Sequence, residues 1–162
     1  VRQDSAAGRS GADSSECDVA AASHIVSSGG RLLLRGGELD GVRLISPKTL
    51  ELMTMNHLPG GADIASLSRS AIARSESGSA GVGFGLGFAV TLDPTLTLVP
   101  GNVGDFYWGG AAGTYFWIDP LEDLAVVFMT QTLYCPDRVR QTLRTMVYAA
   151  LEDSPTWPES RA

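Results

Sequence analysis

The residues best suited to chemistry in this chain lie in one run, Phe106 to Pro120, which reads FYWGGAAGTYFWIDP. Gly109, Gly110 and Gly113 remove side-chain bulk from one side of the backbone, so a ligand or a second backbone can approach closely there. Tyr115, Phe116, Trp117 and Ile118 then read as a strand, and Asp119 and Pro120 end it in a turn. A glycine-lined strand edge is therefore the candidate site. Taken alone, Trp108-Gly109-Gly110 reads better as a tight start to a strand with an aromatic plug.

The other reactive residue types are sparse. His24 and His57 are the only histidines, and no H-x-x-x-H spacing or Cys/His cluster accompanies them, so no metal site is expected. His57 as a general base lacks an accompanying Ser or Cys nucleophile motif. Cys17 and Cys135 are too few for a disulfide framework and lack C-x-x-C spacing; two unpaired thiols are expected, with no His placed near Cys135 to activate it. Met53 and Met55 read as packing rather than as a ligand pair. The Gly81–Asp93 run, GVGFGLGFAVTLD, lacks the G-x-G-x-x-G spacing and no helical pattern follows it, so no dinucleotide and no other cofactor is expected.

The formal charge is −6 and the pI about 4.8, which repels nucleic acid and anionic membrane surfaces alike. Hydrophobic residues make up 44% of the 162, enough for one globular domain. The longest strongly apolar run, Leu124 to Met129, falls far short of the roughly 20 residues of a membrane span. No basic n-region followed by an apolar h-region is visible, which leaves the cytoplasm as the default expectation.

The elements that must position the glycine-lined strand follow from periodicity and caps. Residues 1–23, rich in Ser, Ala, Gly and Asp, are expected to be disordered; residues 24–153 form the domain, and residues 154–162 a flexible tail. Ser46 and Pro47 open a helix ending near Asn56, with Leu50, Met53 and Leu52 toward the core. Residues 57–81 read as a loop. Gly85 to Leu92 is a strand whose glycine face is expected to pack against Trp108 or Trp117, and Leu96 to Val99 a short further strand. Leu124 to Thr130 pairs with the Trp117 strand as an antiparallel hairpin. Pro136 opens a helix from Asp137 to about Glu152, with Val139, Leu143, Met146, Val147 and Leu151 on the buried face and Arg138, Arg140 and Arg144 on the wet side.

With these pieces in order, Gly37 to about Leu151 resembles the serine hydrolases of the beta-lactamase and penicillin-binding-protein type, closest to the esterase-like members related to class C beta-lactamases. The resemblance is carried by GGELDGVRLISPKTLELMTMNHLPG, GFGLGFAV, WGGAAGTYFWIDP and LAVVFMTQ. It implies the C-terminal portion of a beta-lactamase/transpeptidase-like α+β domain: an antiparallel sheet of about three strands packed against a C-terminal helix. Family members run a helix over the segment matching Ile25 to Arg35; here Gly29 and Gly30 are expected to interrupt it. The family's third box, K-T-G or a variant, matches Trp108, Gly109 and Gly110 as substrate-binding residues, and Ala111 falls where a backbone N–H forms half of the oxyanion hole.

The family's other two boxes are absent. Lys48 is the only lysine and Ile45 stands three residues before it, so no S-x-x-K exists; Tyr107, Tyr115, Tyr134 and Tyr148 are followed two places later by Gly109, Trp117, Pro136 and Ala150, so no Y-x-N exists. The resemblance then implies the oxyanion side of an ester or amide hydrolase whose nucleophile lies in a part the chain does not contain. Trp108 in the lysine position favours neutral esters over anionic substrates. The alternative is a pseudoenzyme or partner-binding module, and a sheet left exposed predicts self-association.

Overall fold

The computed structural model describes residues 27–67, 80–133 and 135–155. The disorder expected over residues 1–23 and the roles considered for Cys17 and His24 lie outside the described residues. So do residues 68–79 of the expected loop.

Helix α1 is described over residues 27–34 and runs through Gly29 and Gly30 without a break. The expected interruption does not occur, and packing supplies the reason. A Cβ at Gly30 would lie 3.4 Å from the Ala125 Cβ, so the small residue lets the helix lie close on the sheet. A two-stranded hairpin follows, β1 (Glu38–Leu39) and β2 (Val42–Arg43), turned at Asp40 and Gly41, both at positive φ. Helix α2 (Pro47–Thr54) starts where its caps predict: Ser46 Oγ accepts from Thr49 N–H at 3.0 Å, with Pro47 in the first turn. Leu50 is buried, whereas Leu52 is exposed rather than facing the core. Residues Pro59–Gly61 form a 3-10 turn and Ile64–Leu67 the short helix α3.

Among the described residues the main sheet has five antiparallel strands in sequential order: β3 (Val82–Phe84), β4 (Ala89–Thr91), β5 (Phe106–Gly109), β6 (Tyr115–Asp119) and β7 (Leu124–Phe128). The α+β class, the antiparallel sheet, the β6–β7 hairpin and the C-terminal helix are as expected, and the sheet is larger than three strands. The glycine-rich run is the cause: it folds back on itself as the β3–β4 hairpin, with Gly85 N–H donating to Phe88 O at 2.8 Å. Its bare glycines do not face tryptophans. A Cβ on Gly83 would meet the Asn56 side chain, and one on Gly85 the Met53 carbonyl. Asn56 Oδ1 accepts from Phe84 N–H at 3.1 Å, and His57 N–H donates to Phe84 O at 2.8 Å, so the segment after α2 covers the β3 edge.

Leu96 to Val99 is not a strand. Asp93 caps helix α4 (Pro94–Thr97), its carboxylate accepting from Thr95 N–H at 2.8 Å, because Asp-Pro supplies both a cap and a first-turn proline.

Register divides the sheet into two faces. On the front, Val90, Phe106, Ile118 and Ala125 lie in one cross-strand row, covered by Leu33 and Leu34 of α1. Trp108, Phe116 and Val127 form the next row. On the back, Tyr107, Tyr115, Trp117 and Asp119 face helix α5 (Asp137–Ala149).

Candidate functional site

The glycine-lined segment is the loop between β5 and β6. Gly110 N–H donates to Thr114 O at 2.9 Å and Gly113 N–H to Gly110 O at 3.0 Å, with Gly113 at φ +79°. This is a turn closed by a glycine bulge, and it requires Gly113 twice over: the left-handed backbone disfavours other residues, and a Cβ would lie 2.7 Å from the Cys135 Cβ. In such a turn the first central residue, Ala111, keeps its N–H outside the ring of turn hydrogen bonds. Among the described residues that N–H has no acceptor, and Ala111 is exposed.

Beside the turn is a cleft of about 360 Å³ on the front face, lined chiefly by Trp108, Gly110, Thr114, Phe116, Val127 and Met129. The Trp108 ring meets Phe84 edge-on at 5.1 Å, which fixes it as one wall. Among the described residues no charged side chain lines the cleft. Trp108, Gly109 and Gly110 thus meet at one opening, with Ala111 next in the chain.

The other sequence candidates are elsewhere. His57 Nε2 lies 2.7 Å from Leu52 O, at the end of α2, and is not part of the cleft lining. Cys135 is a half-buried free thiol packed behind the turn. Burial pushes the phenols of Tyr107, Tyr115 and Tyr148 above their ordinary value. A phenol that holds its proton more tightly is poorly suited to act as a general base near neutral pH.

The helix behind the sheet holds what the aliphatic pattern missed. Val139 and Met146, expected on the buried face, are exposed, and Arg144, expected on the wet side, is 3% exposed. Arg144 pairs with buried Asp105, donates through Nε to Pro100 O at 2.7 Å, and lies within 6 Å of the Tyr107, Trp117 and Tyr148 rings, at 5.6, 5.8 and 5.6 Å. Asp105 also accepts from Thr91 Oγ1 at 2.6 Å and Asn102 N–H at 3.1 Å. Asp119 accepts from Tyr148 Oη at 2.6 Å and Asn102 Nδ2 at 2.8 Å. Arg140 is also turned inward, and Nη2 donates to Gly110 O at 3.1 Å. The available signal was the four-residue spacing of Arg140, Arg144 and Tyr148, which puts all three on one helix face.

The chain is similar to known proteins in sequence and in fold. The family model described as Beta-lactamase matches residues 3–150, reaching into the segment whose composition set it apart. Protein Rv1367c of Mycobacterium tuberculosis (strain ATCC 25618 / H37Rv) is 36% identical over 110 residues, 66% of this chain and 25% of its own length. Among solved structures, EstCE1, described as a hydrolase with promiscuous acyltransferase activity, superposes with a TM-score of 0.54 at 29% identity, over 71% of this chain and 26% of its own. Simvastatin synthase (LovD) from Aspergillus terreus shares the fold, with a TM-score of 0.58 at 20% identity over 77% of this chain and 32% of its own. The chain spans about a quarter of the length of the curated relative it matches. From the family match and this shared architecture, the chain belongs to the Beta-lactamase family of serine hydrolases.

Proposed function

We propose that this chain supplies the third-box strand and the oxyanion side of a serine acyl-transfer site, and that it is inactive without a nucleophile from outside its sequence. The carrying observation is the joint placement of Trp108, Gly109 and Gly110 on an apolar cleft, with the free Ala111 N–H directly after them. In the reaction, a serine oxygen attacks the ester or amide carbonyl and the carbonyl electron pair moves onto oxygen. The Ala111 N–H stabilises that oxyanion; a donor of this kind is worth about 3 kcal/mol in the transition state. The alcohol or amine departs with the proton given up by the serine, and water then releases the acid from the acyl-enzyme. The acyl transfer described for EstCE1 supports this reaction class. The uncharged cleft, with Trp108 in place of a lysine, favours neutral esters.

The test is intact mass after incubation with a fluorophosphonate, alongside hydrolysis of a short-chain p-nitrophenyl ester. No adduct and no hydrolysis are expected from the chain alone. A product extended upstream of Val1 with an in-frame S-x-x-K is expected to show both. A single stoichiometric adduct on the 162-residue chain would remove the claim of a missing nucleophile.

A second reading is a non-catalytic, partner-binding module. It is favoured by an apolar groove of about 170 Å³ between α1 and the front face, lined by Gly29, Leu33, Phe116, Ile118, Ala125 and Val127 among others. It is also favoured by β7, which among the described residues has a neighbour on one side only. Concentration-dependent association in sedimentation velocity is expected from such a surface, and a clean monomer at all concentrations argues against it.

A further inference from the structure

We infer that Arg140 is a positioning residue for the oxyanion donor: its guanidinium holds the Gly110 carbonyl and so fixes and polarises the peptide whose N–H belongs to Ala111. The functional meaning rests on the acyl-transfer reading above, whereas the geometry stands without it. Gly110 C=O and Ala111 N–H are the two ends of one peptide unit. Among the described residues every peptide bond is trans, so the two point in opposite directions. Two donors converge on that carbonyl, Arg140 Nη2 at 3.1 Å and Gly113 N–H at 3.0 Å. Turning the peptide would break both bonds, so the Ala111 N–H is held facing away from them. The charged donor also draws electron density through the peptide and makes the N–H a stronger hydrogen-bond donor.

Arg140 occupies an awkward place for any other purpose. It lies in the first turn of α5, where the helix dipole disfavours a cation, yet its side chain is only 17% exposed. Its ion pair with Asp137 is long, at 4.0 Å. The guanidinium lies 5.6 Å from the Tyr115 ring and close against residue 109, where a Cβ would lie 3.1 Å from Arg140 Cζ. Gly109 therefore has two uses. It keeps the strand bare beside the cleft, and it opens a slot on the opposite face through which α5 reaches the next peptide.

The experiment uses the full chain labelled with ¹⁵N and ¹³C, comparing wild type, Arg140→Gln and Arg140→Lys. It reads the Gly110 carbonyl shift and the base-catalysed exchange rate of the Ala111 amide. Removing the cation is expected to slow that exchange at least about threefold, half a unit of amide acidity, while Lys holds it near wild type. Arg140 as a mere prop gives the opposite sign. Its loss then loosens the turn, and exchange stays level or speeds up equally in both variants, which overturns the inference. If Arg140→Gln does not fold, Arg140→Met, which keeps the length of the side chain and removes the cation, gives the same comparison. Ester hydrolysis by the extended product separates the two claims. A slowed amide with no hydrolysis in any form supports the positioning role and removes the acyl-transfer reading; hydrolysis with an unmoved amide removes the positioning role alone.

Discussion

The two faces of the five-stranded sheet are built on opposite plans. The back is polar and sealed: Asp105, Asp119, Arg144 and Thr91 are each at most 3% exposed, wrapped by Tyr107, Tyr115, Trp117 and Tyr148. The front is apolar and partly open, with α1 covering the Phe106–Ile118 row while the Trp108–Phe116–Val127 row lines a cleft. Polarity is therefore a poor guide to exposure in this domain. Charges are buried where they can pair and accept several hydrogen bonds, and apolar side chains are left accessible where a substrate carbon skeleton could meet them.

The sharpest way to break this contrast is to unpair the sealed face. Arg144→Met leaves the Asp105 carboxylate buried without its cation and is expected to cost about 3–5 kcal/mol in urea unfolding, much of a small domain's stability. Adding Asp105→Asn should restore part of it, since the stranded charge is then gone. A single-variant loss below about 1 kcal/mol would mean that the pair is not buried in solution.

A smaller effect is expected at the turn joining β5 and β6, beside the open face. Gly113→Ala forces a left-handed backbone on a residue with no room for its Cβ, and should cost about 1–3 kcal/mol by the same measurement. An unchanged midpoint would show that the turn takes another form.

The smallest is a pH effect confined to the back. The Tyr107, Tyr115 and Tyr148 phenols are pushed up, first by burial, and Tyr148 further by its hydrogen bond to Asp119. With folded values above the unfolded value of about 10, their contribution is fully present below pH about 10 and is lost as pH rises beyond it. The urea midpoint should hold steady from about pH 8 to about pH 9 and then fall, with Tyr148→Phe flattening part of the decline. A midpoint that climbs above pH about 10 would contradict the burial of these rings.

How much of this was legible in the sequence depended on the range of the forces involved. The α2 start at Ser46-Pro47, the Asp119 turn, the β6–β7 hairpin and the bare segment at Gly109–Gly113 all follow from local caps, turn residues and strand periodicity. The third-box residues were found through the resemblance, and the structure places Trp108, Gly109 and Gly110 on one cleft. Helix α5 was located correctly but its face only in part: Arg138 is exposed and Leu143 and Val147 are half-buried as expected, whereas Arg140 and Arg144 turn inward and Val139 and Met146 outward. Its aliphatic residues mark one stripe and its arginines another, and nothing local says that Asp105, 39 residues before Arg144, will be waiting under the second. The run through Gly29 and Gly30 was misjudged for a related reason. Glycine weakens an isolated helix, but here the sheet rewards the close approach that glycine permits.

The sequence by itself determined the start of α2, the place of α5, the β6–β7 hairpin and its turn, the family, and the absence of S-x-x-K and Y-x-N boxes. These depend on contacts a few residues apart or on motifs that can be read letter by letter. Only the tertiary structure decided which charges are buried, which face of the sheet is open, and that Arg140 reaches the peptide bearing the Ala111 N–H. Pairing a buried charge or filling the slot beside a glycine requires a partner from a distant part of the chain, and its position is set when the sheet and helices pack together.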